Sequence, residues 1–485
     1  MSGLLSVLRV LALLLLLFSG TMLIPLIISH AVADGAEHAY DGAMFITLGS
    51  GLILWLLTRR HERELKIKDG FLLVVLVWLV LPFFATLPLL AYLPGLSFTD
   101  AYFEATSGLT ATGATVLSGL DQLPLSINFW RTFLHWLGGM GIIVLAVAIL
   151  PLLGVGGRQL FKAEVPGPMK EAKLSPRMAE TAKGFWLIYL LLTIACTVSL
   201  IYAGMEAWDA LMHAFSIMGL GGFSTKDASL GHFNSVPIEM VAMFFALLSG
   251  ISYATHYMAF HGHSLRPYRL DVELPFFLGT LAVSILALTL YLLPFGIYDG
   301  FWHTLRYVAF HSISLATSLG FATTDYAAWP IFGQLWILFL GSFIACSGST
   351  GGGIKMVRAI ILYKQVVREI LRSMHPNVVQ PIKLGGSPVP AHIVYAVLAF
   401  GFIYMVSIVT LTLLMTASGA DVVTGFSAVV ACINNTGPGL NQVGPATNYA
   451  VLNDFQTWIC IFAMLLGRLE IFTLLVVLSP AFWRK

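Results

Sequence analysis

Four short polar stretches, each carrying glycine, interrupt an otherwise apolar chain: LTATGATVL (Leu109–Leu117), MGLGGFSTK (Met218–Lys226), ATSLGFATT (Ala316–Thr324) and INNTGPGLN (Ile433–Asn441). Measured between Gly113, Gly222, Gly320 and Gly437, the intervals are 109, 98 and 117 residues. The chemistry open to such stretches is coordination of a cation by backbone oxygen. Successive carbonyls turn toward a common axis only if the backbone alternates into φ > 0, which glycine adopts without steric cost. Four such strands offer rings of carbonyl oxygens that replace an ion's hydration shell. Thr110, Thr112, Ser318, Asn434 and Thr436 could add side-chain oxygens. No carboxylate lies beside any of the four glycines, which argues against a divalent-cation site built on an acidic ring.

A carbonyl ring needs elements that hold four strands together inside a bilayer, and the rest of the chain supplies them. Of 485 residues, 58% are hydrophobic and 10% charged, and mean hydropathy is +0.86; soluble domains carry about 25% charged residues. A helix that crosses the hydrocarbon needs roughly 20 apolar residues. Ten segments qualify, at about 5–29, 40–58, 71–93, 127–153, 184–204, 235–260, 273–294, 331–354, 391–416 and 452–480. Each glycine stretch follows a run of about 13 residues, some 20 Å at ~1.5 Å per residue, which enters a membrane without crossing it. The unit therefore reads outer helix, half-helix, glycine stretch, inner helix. The half-helix aims the partly negative end of its dipole at the glycine stretch, which favours a cation. The expected fold is an all-α polytopic membrane protein. Two leading transmembrane helices (1–69) precede four repeats, at 70–156, 157–265, 266–383 and 384–485, around one pseudo-fourfold pore.

Charge supplies an orientation. Of 26 Lys and Arg, 22 fall on one side if the helices alternate, all but Arg131, Lys226, Arg306 and Arg468. The positive-inside rule makes that side cytoplasmic. Both termini are then inside, and the four glycine stretches open from the outer face. The net charge of +2 implies no polyanionic partner such as nucleic acid, because the basic residues are sorted by topology. Ala31-Val32-Ala33 has the form of a signal cleavage site, but the apolar run Val10–Ile28 exceeds the roughly 7–15 residues of a signal h-region. Cys196, Cys346, Cys432 and Cys460 lie in or beside apolar segments with no CxxC pair, as buried small hydrophobes do. Paired carboxylates, a nucleophile elbow and a metal motif are all missing, so an enzyme is not indicated.

With the four glycines in register, Ser107, Ser216, Ser314 and Ala431 stand six residues upstream, where a short helix must pack tightly. Thirteen upstream, Asp100 and Asp209 are candidate N-caps of the first two half-helices. Asp299 and Asp421 lie further upstream in the other two. Nine upstream stand Glu104, His213 and His311, with the histidines read as packing residues rather than proton carriers.

At this point the chain resembles the Trk/Ktr/HKT superfamily of potassium transporters, most of all its bacterial TrkH branch. The motifs are TATGAT (Thr110–Thr115), GLGGFST (Gly219–Thr225), SLGFATTD (Ser318–Asp325), NNTGPG (Asn434–Gly439), CSGSTGGGIK (Cys346–Lys355) and GRLE (Gly467–Glu470). The resemblance implies potassium uptake across the bacterial inner membrane, with a potassium ion bound in a selectivity filter and no other cofactor in this chain. The filter would comprise Thr110, Ala111, Thr112 and Gly113; Gly219, Leu220, Gly221 and Gly222; Thr317, Ser318, Leu319 and Gly320; and Asn434, Asn435, Thr436 and Gly437. In plant relatives serine at the first filter glycine favours sodium, and here that position is Gly113. The resemblance also implies a homodimer in the lipid bilayer, and a separate cytosolic nucleotide-binding ring (TrkA-type) docked on the basic segments 154–183 and 355–383. Those segments equally satisfy the positive-inside rule alone.

Two further features have two readings each. Arg468 sits in the last apolar segment, where an arginine costs about 2.5–3.5 kcal/mol. It is either an electrostatic barrier beside the conduction path, which the resemblance supports, or a structural partner of Glu470 or a snorkelling side chain. The run Cys346, Ser347, Gly348, Ser349, Thr350, Gly351, Gly352, Gly353 stands where the third inner helix would continue, and each glycine destabilises a helix by roughly 1 kcal/mol relative to alanine. It is either a movable intramembrane gate, which matches the family, or a static kink. It is not a phosphate-binding loop, lacking the Gly-Lys-Ser/Thr ending. A proton- or sodium-coupled potassium symporter working by alternating access is the competing function.

Overall fold

The computed structural model describes residues 2–63, 65–141 and 178–484. Helices α1 (Ser2–Thr21) and α2 (Leu23–Val32) form one span, and α3 (Glu37–Thr58) returns beside it. These leading helices clasp the first repeat. Tyr40 donates to the carbonyl of Ser126 at 2.9 Å, and the Ser126 N–H donates to Asp34 at 2.9 Å.

Repeat one follows as α4 (Ile67–Ala85), α5 (Leu87–Tyr92), the half-helix α6 (Phe98–Leu109) and α7 (Leu125–Trp136). Repeat two is α8 (Met178–Tyr202), half-helix α9 (Ala207–Gly219), α10 (Val236–Gly250) and α11 (Tyr253–His261). After the short α12 (Arg266–Leu270), repeat three is α13 (Leu274–Leu292), half-helix α14 (Gly300–Ala316), α15 (Ile331–Phe343) and α16 (Met356–Met374). Repeat four is α17 (Ala391–Ala417), half-helix α18 (Val422–Ile433), α19 (Asp454–Arg468), α20 (Phe472–Leu478) and α21 (Pro480–Trp483). The expected all-α, four-repeat architecture is what the structure has.

The outer helices show why the chain is so apolar. On α8, Leu187, Leu191, Ile194, Val198 and Ile201 are exposed at helical spacing, a stripe suited only to lipid. On α17, Val394, Val397, Tyr404, Ile408, Leu411 and Met415 line the buried face, while Tyr395, Leu398, Phe402, Met405, Val409 and Leu413 face outward.

The ten expected spans are corrected. Among the described residues, six helices are long and apolar enough to cross a membrane, or up to eight spans if each bent pair counts as one. The segments 235–260 and 452–480 are instead bent pairs, by 90° between α10 and α11 and by 113° between α19 and α20. Segment 331–354 ends as a helix at Phe343. Hydropathy sums composition and is blind to backbone direction, so an apolar run with a sharp corner still scores as a span. Segment 127–153 is described only to Gly141. Its remainder, the boundary at 156, and residues 154–177 of the first basic segment lie outside the described residues. The second basic segment holds α16, and a two-stranded hairpin begins at its end, β1 (Lys383–Leu384) and β2 (Ser387–Pro388), turned by Gly385 and Gly386 at φ +55° and +87°.

The cap assignments also change. Ser97, not Asp100, caps α6, accepting from the Asp100 N–H at 3.0 Å, so Asp100 sits three residues inside the cap. Glu206 holds the cap position of α9, and Asp209 lies inside that helix too. Asp421 caps α18 through the Thr424 N–H. The third half-helix is the longest, 17 residues against 12, 13 and 12.

Candidate functional site

Each half-helix ends in the same backbone turn. The residue two before each reference glycine has φ > 0: Ala111 at +52°, Leu220 at +53°, Ser318 at +62° and Asn435 at +50°. The next residue's N–H reaches back five residues: Thr112 to Ser107, Gly221 to Ser216, Leu319 to Ser314 and Thr436 to Ala431, at 2.7–2.9 Å. Ala111, Leu220, Ser318 and Asn435 bond three residues back, to Gly108, Ile217, Leu315 and Cys432, at 3.0–3.1 Å. This is the Schellman closure of a helix, found four times. It turns two N–H groups of each strand back onto carbonyls inside the half-helix. The glycines then restore φ > 0, at +84°, +81°, +79° and +91° for Gly113, Gly222, Gly320 and Gly437.

The four strands meet as a closed ring. A Cβ added to Gly113 would strike the carbonyl oxygen of Gly221, one on Gly222 that of Leu319, one on Gly320 that of Thr436, and one on Gly437 that of Thr112. Each glycine is thus walled by the carbonyl that precedes the glycine of the next repeat, in the order one, two, three, four, one. Those four carbonyls accept no hydrogen bond from the described residues. All four glycines line one cavity of about 80 Å³, with Thr115, Phe223, Ala322 and Pro438 among its other walls. The candidate filter residues are therefore brought together.

The side-chain oxygens are turned to bracing. Thr110 donates to Thr106 O at 2.7 Å and lies 2.7 Å from Thr112 Oγ1, which accepts from Asn435 Nδ2 at 2.9 Å. Asn434 faces outward, accepting from Tyr404 at 2.9 Å and donating to Ser342 at 3.0 Å.

Behind the ring, the residue nine before each glycine ties down the strand that follows it. Glu104 accepts from Thr115 Oγ1 at 3.0 Å and from the Val116 N–H at 3.1 Å. His213 bonds Ser224 Oγ at 2.9 Å, and His311 bonds the carbonyl of Thr324 at 3.1 Å. Repeat four has Ala428 there, and Ser427 takes over by accepting the Leu440 N–H at 2.9 Å. The packing role read for the histidines agrees with these bonds. Glu104 also pairs with Arg131 at 2.8 Å, both 1% exposed. Arg131 donates on to the carbonyl of Ser224 at 3.2 Å, joining repeats one and two. Arg306 and Glu239, at 2.6 Å, join repeats three and two in the same manner. Alignment could have exposed Glu104, since it shares its register with the histidines; nothing in the sequence points to Arg131 as its partner.

Below the ring lies the loop 346–353. A Cβ on Gly351 would meet the carbonyl of Thr317, and one on Gly352 that of Asn434, so the loop backbone runs directly against the inner ends of strands three and four. The Gly352 N–H donates to Ser318 Oγ at 2.9 Å, and Thr350 Oγ1 to the carbonyl of Met218 at 3.1 Å. One oxygen of Glu273 accepts from the Ser347 N–H at 2.8 Å and the Val357 N–H at 3.0 Å, fastening both flanks of the loop. Lys355 is buried and donates into the loop at Gly351 O. Sequence reading missed Glu273, which lies 74 residues from Ser347 with no motif around it.

Arg468 ends α19 at the 113° corner. It donates to Thr350 O of the loop at 3.2 Å and to the carbonyls of Gly138 and Gly139. Those carbonyls belong to the wide π turn Leu137–Gly141, which loosens the regular ladder and leaves backbone oxygen available. Glu470 is bound by Arg358 at 2.7 Å. The four cysteines are free and buried, and among the described residues no group of three His, Cys, Asp or Glu could hold a metal ion.

Four half-helices converging on one axis inside a ring of lipid-facing helices define a polytopic membrane transport protein in which a single chain surrounds a single path. A family model for TrkH, described as a cation transport protein, matches residues 37–485, and the chain belongs to that family. It is 47% identical over 481 residues to the Trk system potassium uptake protein TrkH of Salmonella typhimurium, covering 99% of each chain. It is 38% identical over 476 residues to the Trk system potassium uptake protein TrkG of Escherichia coli, covering 97% of this chain and 96% of that one. The crystal structure of the potassium transporter TrkH from Vibrio parahaemolyticus is similar at a TM-score of 0.89 and 44% identity, covering 99% of this chain and 100% of that chain.

Proposed function

We propose that this protein carries potassium into the cell across the bacterial inner membrane, through a channel-like pore whose selectivity filter is the ring of strands at Thr110–Gly113, Gly219–Gly222, Thr317–Gly320 and Asn434–Gly437. The observation that carries the reading is ring closure: four carbonyls with no donor among the described residues, each set against the glycine of its neighbour. Carbonyl oxygen without carboxylate suits a monovalent cation that sheds its water, and the half-helix ends add negative potential. The names of the similar proteins favour potassium.

In this reading, the loop 346–353 is the gate, because its glycines press on the inner ends of two strands. Arg468 is a cationic barrier bonded to that loop. A cytosolic nucleotide-binding partner works the gate from the basic face, the termini are cytoplasmic, and the protein acts as a homodimer. The test is flux through purified protein in liposomes, with potassium, rubidium, sodium and lithium compared. Potassium and rubidium should pass far ahead of sodium and lithium, with currents reversing near the potassium Nernst potential. A reversal potential that moves with pH or sodium would replace the pore by a symporter.

A further inference from the structure

The four strands of the ring are not braced alike. Strands one, three and four carry side chains at the positions three and one before the glycine: Thr110 and Thr112, Thr317 and Leu319, Asn434 and Thr436. Strand two has Gly219 and Gly221 there, so it places no side chain of its own at those two positions. The space behind it is filled from repeat one. His135, near the end of α7, is fully buried, and its ring lies flat on Phe223 with centroids 4.1 Å apart and planes 14° apart. Its Nδ1 accepts from the Phe223 N–H at 3.4 Å. A Cβ on Gly221 would run into Nδ1, Cγ and Cε1 of His135, and a Cβ on Gly219 into the His135 carbonyl.

Gly221 is absent from the residues with φ > 0, unlike Gly222 beside it. Alanine is therefore conformationally permitted at Gly221, and the imidazole is what forbids it. The volume withheld from strand two is returned as the ring of His135. An acceptor at Nδ1 places the proton on Nε2. The imidazole thus acts as a flat, neutral wedge with a directed bond to strand two.

We propose that His135 is the positioning residue of strand two, supplied across the repeat boundary, and that it sets ion discrimination by fixing where the Gly221 and Gly222 carbonyls stand. This deepens the filter reading above and rests on it. A filter discriminates by the number and placement of its oxygens, and a wedge that defines one strand of four defines a quarter of them.

The test is a steric exchange in the full chain, in liposomes, with potassium and sodium flux measured side by side. Gly221→Ala should cut potassium flux more than tenfold. His135→Ala should lower potassium flux by a few-fold and potassium-over-sodium discrimination by clearly more. The double variant should recover most of the flux lost in Gly221→Ala, because the new methyl enters the vacated space. His135→Asn, smaller but still able to accept the Phe223 N–H, should keep more discrimination than His135→Ala and serves if the alanine variant fails to fold. The proposal is overturned if Gly221→Ala transports and discriminates like the parent, or if the double variant is no better than Gly221→Ala. Gly113→Ser and Gly320→Ser run alongside. If neither of them alters discrimination, the filter reading is what fails; if they alter it and the His135 variants do not, only the wedge fails.

Discussion

Arg468 holds Thr350 by its backbone carbonyl, 3.2 Å from guanidinium nitrogen to oxygen, which ties the corner of the last helix to the loop beneath the ring. The same guanidinium reaches the carbonyls of Gly138 and Gly139 on the opposite repeat boundary. In the proposed pore it would supply charge and tether at one place below the ring. Removing it should raise potassium and rubidium flux about tenfold, equivalent to a barrier of about 1.4 kcal/mol. Arg468→Lys should fall between, since it keeps the charge but loses the fork of donors. The check is rubidium uptake into liposomes; unchanged or lower uptake by well-folded Arg468→Ala protein counts against the barrier.

Gly113→Ser tests the ring itself. The new Cβ meets the Gly221 carbonyl and must be borne at φ +84°, a conformation that costs a non-glycine residue roughly 1–2 kcal/mol. The strand relieves both by moving outward, and the potassium-to-sodium flux ratio should fall several-fold. An unchanged ratio would place discrimination elsewhere.

Glu273 offers a separate handle on the loop. Glu273→Ala leaves the Ser347 and Val357 N–H groups without their acceptor, at about 1–3 kcal/mol for each buried donor. Flux measured without any regulatory partner should rise, as it should when Gly348–Gly352 is deleted. Glu273→Gln retains an oxygen for both donors and should stay nearer the parent. Loss of transport in both Glu273→Ala and the deletion would mark the loop as structural support instead of a gate.

The Glu104–Arg131 pair should behave as a buried pair does. Removing one member leaves an unpaired buried charge and costs about 3–5 kcal/mol. Glu104→Gln or Arg131→Met alone should therefore lower the thermal midpoint sharply. The double variant should recover much of the loss, because matched neutral groups leave no charge stranded. Thermal unfolding in detergent, followed for all four species, supplies the cycle.

How far the sequence could be read depends on which physical rule governed each residue. The reference glycines were legible because φ > 0 selects strongly for glycine. Their partners two residues earlier were not, since Ala111, Leu220 and Ser318 are types that avoid that region and are held there by the helix closure. The apolar lipid-facing stripes made the outer helices plain. The corners after Gly250 and Arg468 were hidden, because a bend leaves composition unchanged. The loop at 346–353 was visible as a break in helix propensity, yet its fastening by Glu273 joins parts of the chain that no local pattern connects. The cap positions were displaced by three residues because an acidic side chain is favourable both at the cap and inside the first turn.

The closed ring has a direction. Each repeat leans on the next in one rotational sense, and because one chain supplies all four, no two of the four joints are made of the same residues. A ring assembled from identical subunits would receive every change four times over. Here each joint can be altered singly, while the other three report how a displacement at one is shared around the circle. In the proposed pore the ring would thereby be a mechanical circuit with four independently addressable links, able to widen unevenly where a symmetric one would have to widen all at once.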